Sequence, residues 1–418
     1  MALAVVVFVV GLAVIATEKV HRTKVALLGA ALVVVTHTIE QDQAIEAIDF
    51  DTIGLLTGMM LIVRLTEPTG AYNYLAIRAG QLAKGRPLGV VIALTGTTAV
   101  LSAFLDNLTT ILLMVPITFL LADTLDMPPI PLLIMEVIAS NIGGTATLIG
   151  DPPNILIAGA TGLSFNEFAL NLAPVAIVTL VVVVGVLYLF YRRRLRIDPA
   201  NGAKVMALDA RRSIEDPGEL RRTLPILVLT IVAFFFHGPL GIEPATVALT
   251  GAAVMLLLSR QSLEDALAGI EWPTLFFFLG LFVMVGALET TGAIGQVAEG
   301  VGALTGGNRT AELLGITWIA ALGSAVVDNI PFTAAMIPVV EQLQSGNAGD
   351  NAYWWSLSLG ACFGGNATLI AAAANVAASG LAERAGQPIS FLEFLLIGVP
   401  VTLLSLAIAT LYIAVRYL

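Results

Sequence analysis

Charge is scarce in this chain and cysteine is nearly absent. Aspartate, glutamate, lysine and arginine together make up 12% of the 418 residues, where a soluble globular protein carries roughly 25%. A single cysteine, Cys362, excludes an internal disulfide and any multi-thiolate metal site. No stretch is polar enough to form a separate soluble domain, and no nucleotide-binding motif is present. Any coupling to ATP would need a partner protein at the cytoplasmic face. Neither a cofactor, nor an enzymatic activity, nor a nucleic-acid partner is expected.

What remains is apolar. Hydrophobic residues make up 57% of the chain and the mean hydropathy is +0.92. Runs on the order of 20 residues, enough to cross a bilayer, recur from end to end. An all-α membrane protein surrounded by lipid is expected, in a bacterial-type inner membrane. The first run, MALAVVVFVVGLAVIA, lacks the positive n-region of a signal peptide and reads as a helix.

The sequence is also internally repeated. A shift of 222 positions places Gly29 on Gly251, Gly58 on Gly280, Glu67 on Glu289, Asp106 on Asp328, Asn107 on Asn329 and Pro116 on Pro338. One deletion later, Gly143, Gly144, Thr147 and Asn154 fall on Gly364, Gly365, Thr368 and Asn375. Such a repeat is the signature of a secondary transporter whose halves frame one site. The expected domains are repeat 1 over 1–191, a cytoplasmic connector over 192–222 and repeat 2 over 223–418.

Loop charge orients the halves. Lys19, Arg22 and Lys24 mark the first loop as cytoplasmic, whereas the loop from Thr38 to Asp51 is acidic with no basic residue. The Arg192 to Arg222 connector is basic, and the bias reverses in the second half. Two inverted-topology repeats follow, each with five transmembrane helices, the fourth broken, and both termini outside. The broken helices are expected at 130–160 and 352–379. The remaining segments, 88–121 and 310–343, must enter and leave on one side as re-entrant hairpins, with the paired Asp-Asn at each tip.

Four polar clusters thereby converge. The hairpin tips supply Asp106, Asn107, Thr109 and Thr110, with Asp328, Asn329 and Thr333. The broken helices supply Asn141, Thr145, Thr147, Asp151 and Asn154 within SNIGGTATLIGDPPN, and Asn366, Thr368 and Asn375 within FGGNATLIAAAAN. Gly-Gly interrupts each helix and frees carbonyls and N–H groups for side chains, ions or substrate. Intramembrane carboxylates are functional by default, but each has a plainer reading. Asp106 and Asp328 could cap the second hairpin helix, and Asp151, ahead of Pro152-Pro153, has the form of an N-cap. Glu67 and Glu289 read as interfacial helix ends. Glu136 could be a proton site or a buried hydrogen bond, and Cys362 reads as a packing residue.

The motifs DNLTT with VPI, SNIGGTATLIGDPPN, VDNIPFTAAMIP and GGNATLI with Asn375 resemble the ion transporter superfamily. It groups divalent-anion/sodium symporters, citrate permeases, D-type sodium/proton antiporters, arsenite permeases and the melanosomal P protein; the last three branches are nearest. The resemblance implies a scaffold domain, a transport domain holding the hairpins and broken helices, a homodimer and an elevator-like shift. Dicarboxylate symporters of the superfamily carry Ser-Asn-Thr at each tip, where this chain begins with Asp106 and Asp328. Two unit charges about 4 Å apart interact by roughly 4 kcal/mol at an effective dielectric of 20. Carboxylates beside the site therefore disfavour a dianion and favour a proton, a cation or a neutral polar solute. The expectation from the resemblance is export of arsenite or antimonite, a small inorganic substrate, in exchange for protons. Sodium/proton antiport is the alternative, ahead of an organic-anion permease or a channel.

Overall fold

The computed structural model describes residues 1–17, 19–84, 86–197, 199–345 and 349–418, and among these it is all helical. The first half runs α1 (Ala2–Ala16), α2 (Arg22–Val35), α3 (Gln41–Glu46), α4 (Phe50–Thr66), α5 (Ala71–Leu82), α6 (Pro87–Phe104), α7 (Asn107–Leu125), α8 (Pro129–Gly144), α9 (Pro152–Thr161) and α10 (Phe165–Tyr191). A linking helix, α11 (Pro199–Ala207), follows. The second half runs α12 (Pro217–Leu240), α13 (Pro244–Leu258), α14 (Leu263–Ala268), α15 (Trp272–Thr290), α16 (Ala293–Thr305), α17 (Arg309–Val327), α18 (Asn329–Ser345), α19 (Ala352–Gly364), α20 (Ala373–Arg384) and α21 (Phe391–Tyr417).

The shift of 222 carries over from residues to helix starts: α2, α4, α5, α6 and α7 begin 222 positions before α13, α15, α16, α17 and α18. Local chemistry sets these boundaries. Proline stands in the first turn of α6, α8, α9, α12, α13 and α15, where its missing N–H costs nothing. Ser164 with Glu167 forms a capping box on α10, and Ser390 caps α21 at the same place in the second half. The start of α12 is likewise set locally. It begins at Pro217, because Asp216 accepts hydrogen bonds from the N–H groups of Gly218 and Glu219, both at 2.9 Å.

Among the described residues, seven helices, α6, α7, α10, α12, α15, α17 and α21, are long and apolar enough to cross a membrane, and α1, α8 and α13 are shorter apolar helices. The chain is an integral membrane protein. Its helices form two bodies. In one, α2 packs on α15 and α4 on α13. A Cβ at Gly58 would fall 2.6 Å from the carbonyl carbon of Ala248, and one at Gly280 would fall 2.6 Å from that of Ala26. Those two contacts are repeat equivalents, so one close approach is used twice.

The second body pairs α6 with α8 and α17 with α19, closed by α7, α9, α18 and α20 and backed by α10 and α21. Glycine permits the close approach again. A Cβ on Gly143 would fall 2.4 Å from the Ala99 carbonyl oxygen and one on Gly364 would fall 2.5 Å from that of Ala321. Hydroxyls repeat as well: Ser102 donates to the Ser140 carbonyl and Ser324 to the Ala361 carbonyl, both at 2.7 Å. By length the hairpin arms α6, α7 and α17 could each cross a bilayer. They differ from ordinary spans in ending at tips inside the protein, where Asn107 and Asn329 are buried.

Candidate functional site

The helix breaks come first, because they decide which polar groups are left for chemistry. The α8–α9 break leaves carbonyls at Thr145 and Thr147 without helical partners, and Asn154 Nδ2 donates to both, at 3.1 and 2.8 Å. Asn375 does the same across the α19–α20 break, donating to Gly365 and Thr368 at 2.7 and 2.8 Å. Thr147 and Thr368 tie the breaks to the hairpins, donating to the carbonyls of Ala103 and Ala325. Thr145 and Thr333 bond back to the carbonyls of Asn141 and Asn329 in their own helices. These six residues hold the framework, with their donated hydrogen bonds committed to backbone carbonyls.

The centre lies between the two tips. Asp151 occupies the N-cap position of α9 but makes no capping hydrogen bond. Its Oδ1 instead accepts from Asn107 Nδ2 and Asn329 Nδ2, one from each hairpin, both at 3.1 Å. Asn107 Nδ2 also reaches Asn141 Oδ1 at 3.2 Å, and Asn141 Nδ2 donates to Asn366 Oδ1 and Asn375 Oδ1 at 3.0 Å each. Asp151, Asn141, Asn366 and Asn375 are fully buried. Among the described residues, three polar atoms here have no partner in hydrogen-bonding geometry, Asp151 Oδ2, Asn366 Nδ2 and Thr110 Oγ1, although the Cys362 thiol stands beside the Asp151 carboxylate. Buried polar groups are nearly always paired. An unpaired carboxylate oxygen and an unpaired amide donor in one network are what a proton, a cation or a hydroxylated solute would satisfy.

Around this centre the tips differ. Asp106 accepts from the N–H of Thr109 at 2.8 Å and from the Thr109 hydroxyl, so it caps α7. Asp328 accepts from the N–H of Ile330 at 3.0 Å and from Arg22 Nη1 at 2.8 Å. The backbone of Asp328 is held at φ 131°, ψ 143°, a conformation that costs a non-glycine residue about 1–3 kcal/mol and persists only where its surroundings enforce it. A pocket of about 20 Å³, lined by Arg22, Asp106, Asn107, Glu271, Thr274 and Asn329 among others, sits between the tips. It has room for a water. A wider cavity of about 400 Å³, lined by His21, Arg22 and Asp328 with Val376 and Ala377 of α20, adjoins it on the side of the α1–α2 turn.

Three residues at this site, Arg22, Glu271 and Ser358, were not among the candidate site residues that the sequence singled out. Arg22 had been counted with Lys19 and Lys24 as loop charge, but it opens α2 and turns inward to Asp328. Glu271 precedes α15 and lines the small pocket with Asp106. Nothing in local sequence marks either one; only the meeting of α2 and α15 starts, where Thr23 Oγ1 donates to the Pro273 carbonyl at 2.7 Å, brings them in. Ser358 also enters, donating to Asn154 Oδ1 at 2.5 Å. Glu136 is buried and accepts from Thr118 at 2.6 Å and Thr98 at 3.4 Å. Cys362 lies buried, with its sulfur 3.8 Å from Asn154 Oδ1.

The chain is similar in sequence and fold to known proteins. The profile of the CitMHS family, described as citrate transporter, matches residues 12–360. An uncharacterized transporter of Mycobacterium tuberculosis is 44% identical over 421 residues, covering 99% of this chain and 98% of its own length. The P protein of Sus scrofa is 34% identical over 485 residues, covering 96% of this chain but 57% of its own. Among solved structures, the YdaH transporter of Alcanivorax borkumensis, described as having an unusual topology, shares the fold. It aligns with a TM-score of 0.61 and 15% identity, covering 89% of this chain and 86% of that one.

Proposed function

We propose, from the premise that this chain belongs to the citrate transporter family of the ion transporter superfamily, that this membrane transporter is a proton-coupled carrier exporting arsenite or antimonite. The observation that carries the reading is the Asp151 cradle, a buried carboxylate held by one asparagine from each hairpin, with its other oxygen unpaired. At neutral pH arsenite is an undissociated trihydroxide, which suits amide and hydroxyl partners better than fixed charge. Asp106 and Glu271 line the small pocket with Arg22, Arg22 pairs with Asp328, and Asp151 is held by both tips, so carboxylates outnumber the guanidinium on that lining. That balance favours proton exchange and resists anions. The pairing of repeat-equivalent contacts supports an inverted arrangement, with hairpins entering from opposite faces.

Two other cargoes are favoured by specific observations. Oxygen donors from Asp106, Asp151 and Asp328 suit sodium as well as a proton. Arg22 and His21 on the cavity wall are groups a citrate-like anion would seek. Purified protein in liposomes under a proton gradient, offered arsenite, antimonite, sodium, lithium and citrate in turn, separates them. Proton-linked arsenite or antimonite flux is expected. Saturable sodium/proton exchange without metalloid flux would make the antiporter reading correct, and citrate uptake would overturn the charge argument.

A further inference from the structure

The ion pair between Arg22 and Asp328 joins the two bodies of the molecule. Arg22 belongs to α2 and its guanidinium carbon lies 5.1 Å from the ring centroid of Phe277 on α15, so it is seated on the body formed by α2, α4, α13 and α15. Its Nη1 crosses to Asp328 Oδ2 at 2.8 Å, at the tip joining α17 and α18 in the other body. The side chains are 20% and 9% exposed, so the pair is largely shielded from water. It also lies on the wall of the 400 Å³ cavity, with His21 beside it.

The repeat gives an internal control. The position equivalent to Arg22 is Pro244, and Asp106, the equivalent of Asp328, bonds within its own helix. A pair needed only to build the framework would be expected twice, as the Ser102 and Ser324 bonds are. This one occurs once, at the residue with a strained backbone, and spans the only kind of boundary that relative motion must cut.

We propose that Arg22 is a tethered cation that latches the two bodies together by occupying Asp328, and that a proton or cargo cation releases the latch by taking its place on that carboxylate. This inference rests on the carrier reading above and adds to it a residue that sets when the bodies can part. With the pair formed, the cavity beside the α1–α2 turn stays open. With Asp328 neutralised, Arg22 has no partner across the boundary and the hairpin body is free to shift. The charged and titratable groups facing the pair are His21 on its own element, Glu271 ahead of α15, and Asp106 and Asp151 beyond Asn107 and Asn329. Removing Arg22 while leaving all of these in place isolates its contribution.

The test reads cavity opening and does not depend on the cargo. Val376, on the hairpin body and lining the cavity, is replaced by cysteine in a Cys362→Ser background. Labelling by a membrane-impermeant maleimide is then followed in liposomes between pH 5 and 8, and each rate is divided by that of the unfolded protein at the same pH. The parent is expected to label more slowly as pH falls. R22Q should label roughly fivefold or more slowly than the parent at high pH, the lower range of typical coupling between sites, with a flat profile. R22K, which keeps a cation, should restore the pH dependence, and D328N breaks the pair from the other side should R22Q not fold. Parent-like labelling and pH dependence in both R22Q and D328N would overturn the latch. Because no substrate enters the assay, a failed arsenite flux would leave this result standing, and a failed latch would leave the flux result standing.

Discussion

At one hairpin tip Asp106 turns its carboxylate onto Thr109 of its own helix; at the other Asp328 holds positive φ and reaches across the molecule to Arg22. The two tips share the pair Asp-Asn and the same helix start, so the difference comes from what surrounds them. Around the first repeat's break stand Asn141, Asp151 and Glu136; at the equivalent positions of the second stand Cys362, Ala372 and Leu357. The framework is duplicated and the chemistry is not. Two identical acidic sites facing each other would repel, whereas one carboxylate bridged by both hairpins makes a single centre.

The sharpest break in this comparison is D151N. The substitution keeps the shape and removes the one charge that both Asn107 and Asn329 address. Gradient-driven flux should be abolished while the protein remains monodisperse in detergent. A variant that folds and still couples transport to the proton gradient would move the centre elsewhere.

Next in size is the contrast between D328N and D106N, both of which should uncouple transport. They should differ in stability. D328N leaves Arg22 facing an amide across a shielded boundary, and breaking a buried pair from one side costs about 3–5 kcal/mol when fully buried; the partial exposure here brings the loss below that range. D106N keeps a side-chain oxygen at a helix cap, where asparagine ranks with aspartate, so its cost is small. Thermal denaturation monitored by size exclusion should therefore rank D328N below D106N. An equal loss would mean that the two tips are energetically the same despite their different partners.

A smaller contrast concerns the asparagines that span the helix breaks. N154A and N375A each free two carbonyls, and an unsatisfied buried group costs about 1–3 kcal/mol. N154A should be the worse of the two, because Asn154 Oδ1 also accepts from Ser358, and Asn375 Oδ1 accepts from Asn141, a group that keeps its bond to Asn366. Melting temperatures in detergent would check the order, and a reversed order would show that the Ser358 contact contributes little.

Much of the fold was legible in the sequence because the repeat is a property of residue identity. Glycine pairs, prolines and polar clusters at one offset are visible without coordinates, and the helices start where that offset puts them. The centre was only partly legible. Asn154 and Asn375 look like ligands in the sequence because asparagine beside a helix break can do either task; only the positions of the freed carbonyls show them stapling the backbone. Asp151 resembles a cap because Pro-Pro follows it, yet two amides from distant hairpins take its oxygen instead. Arg22 was hidden for a different reason. A basic residue near a helix end counts equally toward loop charge whether it faces the aqueous loop or the site 306 positions away, and that choice is made by the packing of α2 on α15.

The smallest expected effect tests whether the framework is as symmetric as it looks. Ser102 of α6 and Ser324 of α17 make the same 2.7 Å bond to α8 and α19, and each serine-to-alanine change removes one donor from a buried carbonyl. A bond of this kind contributes about 0.5–1.5 kcal/mol, so both variants should melt slightly below the parent. Ser102 has one further partner, the Ser140 hydroxyl at 3.1 Å, but Ser140 also donates to the Asn107 carbonyl at 3.1 Å and keeps that bond when Ser102 is replaced. The two variants should therefore lie within about 0.5 kcal/mol of each other, the scatter within which independent sites add, and neither should change coupled flux. If S102A instead impairs transport and S324A does not, the asymmetry of the centre extends through Ser140 and Asn107 into the framework. The hairpin tip of the first repeat would then be tuned by the hydroxyl chain behind it.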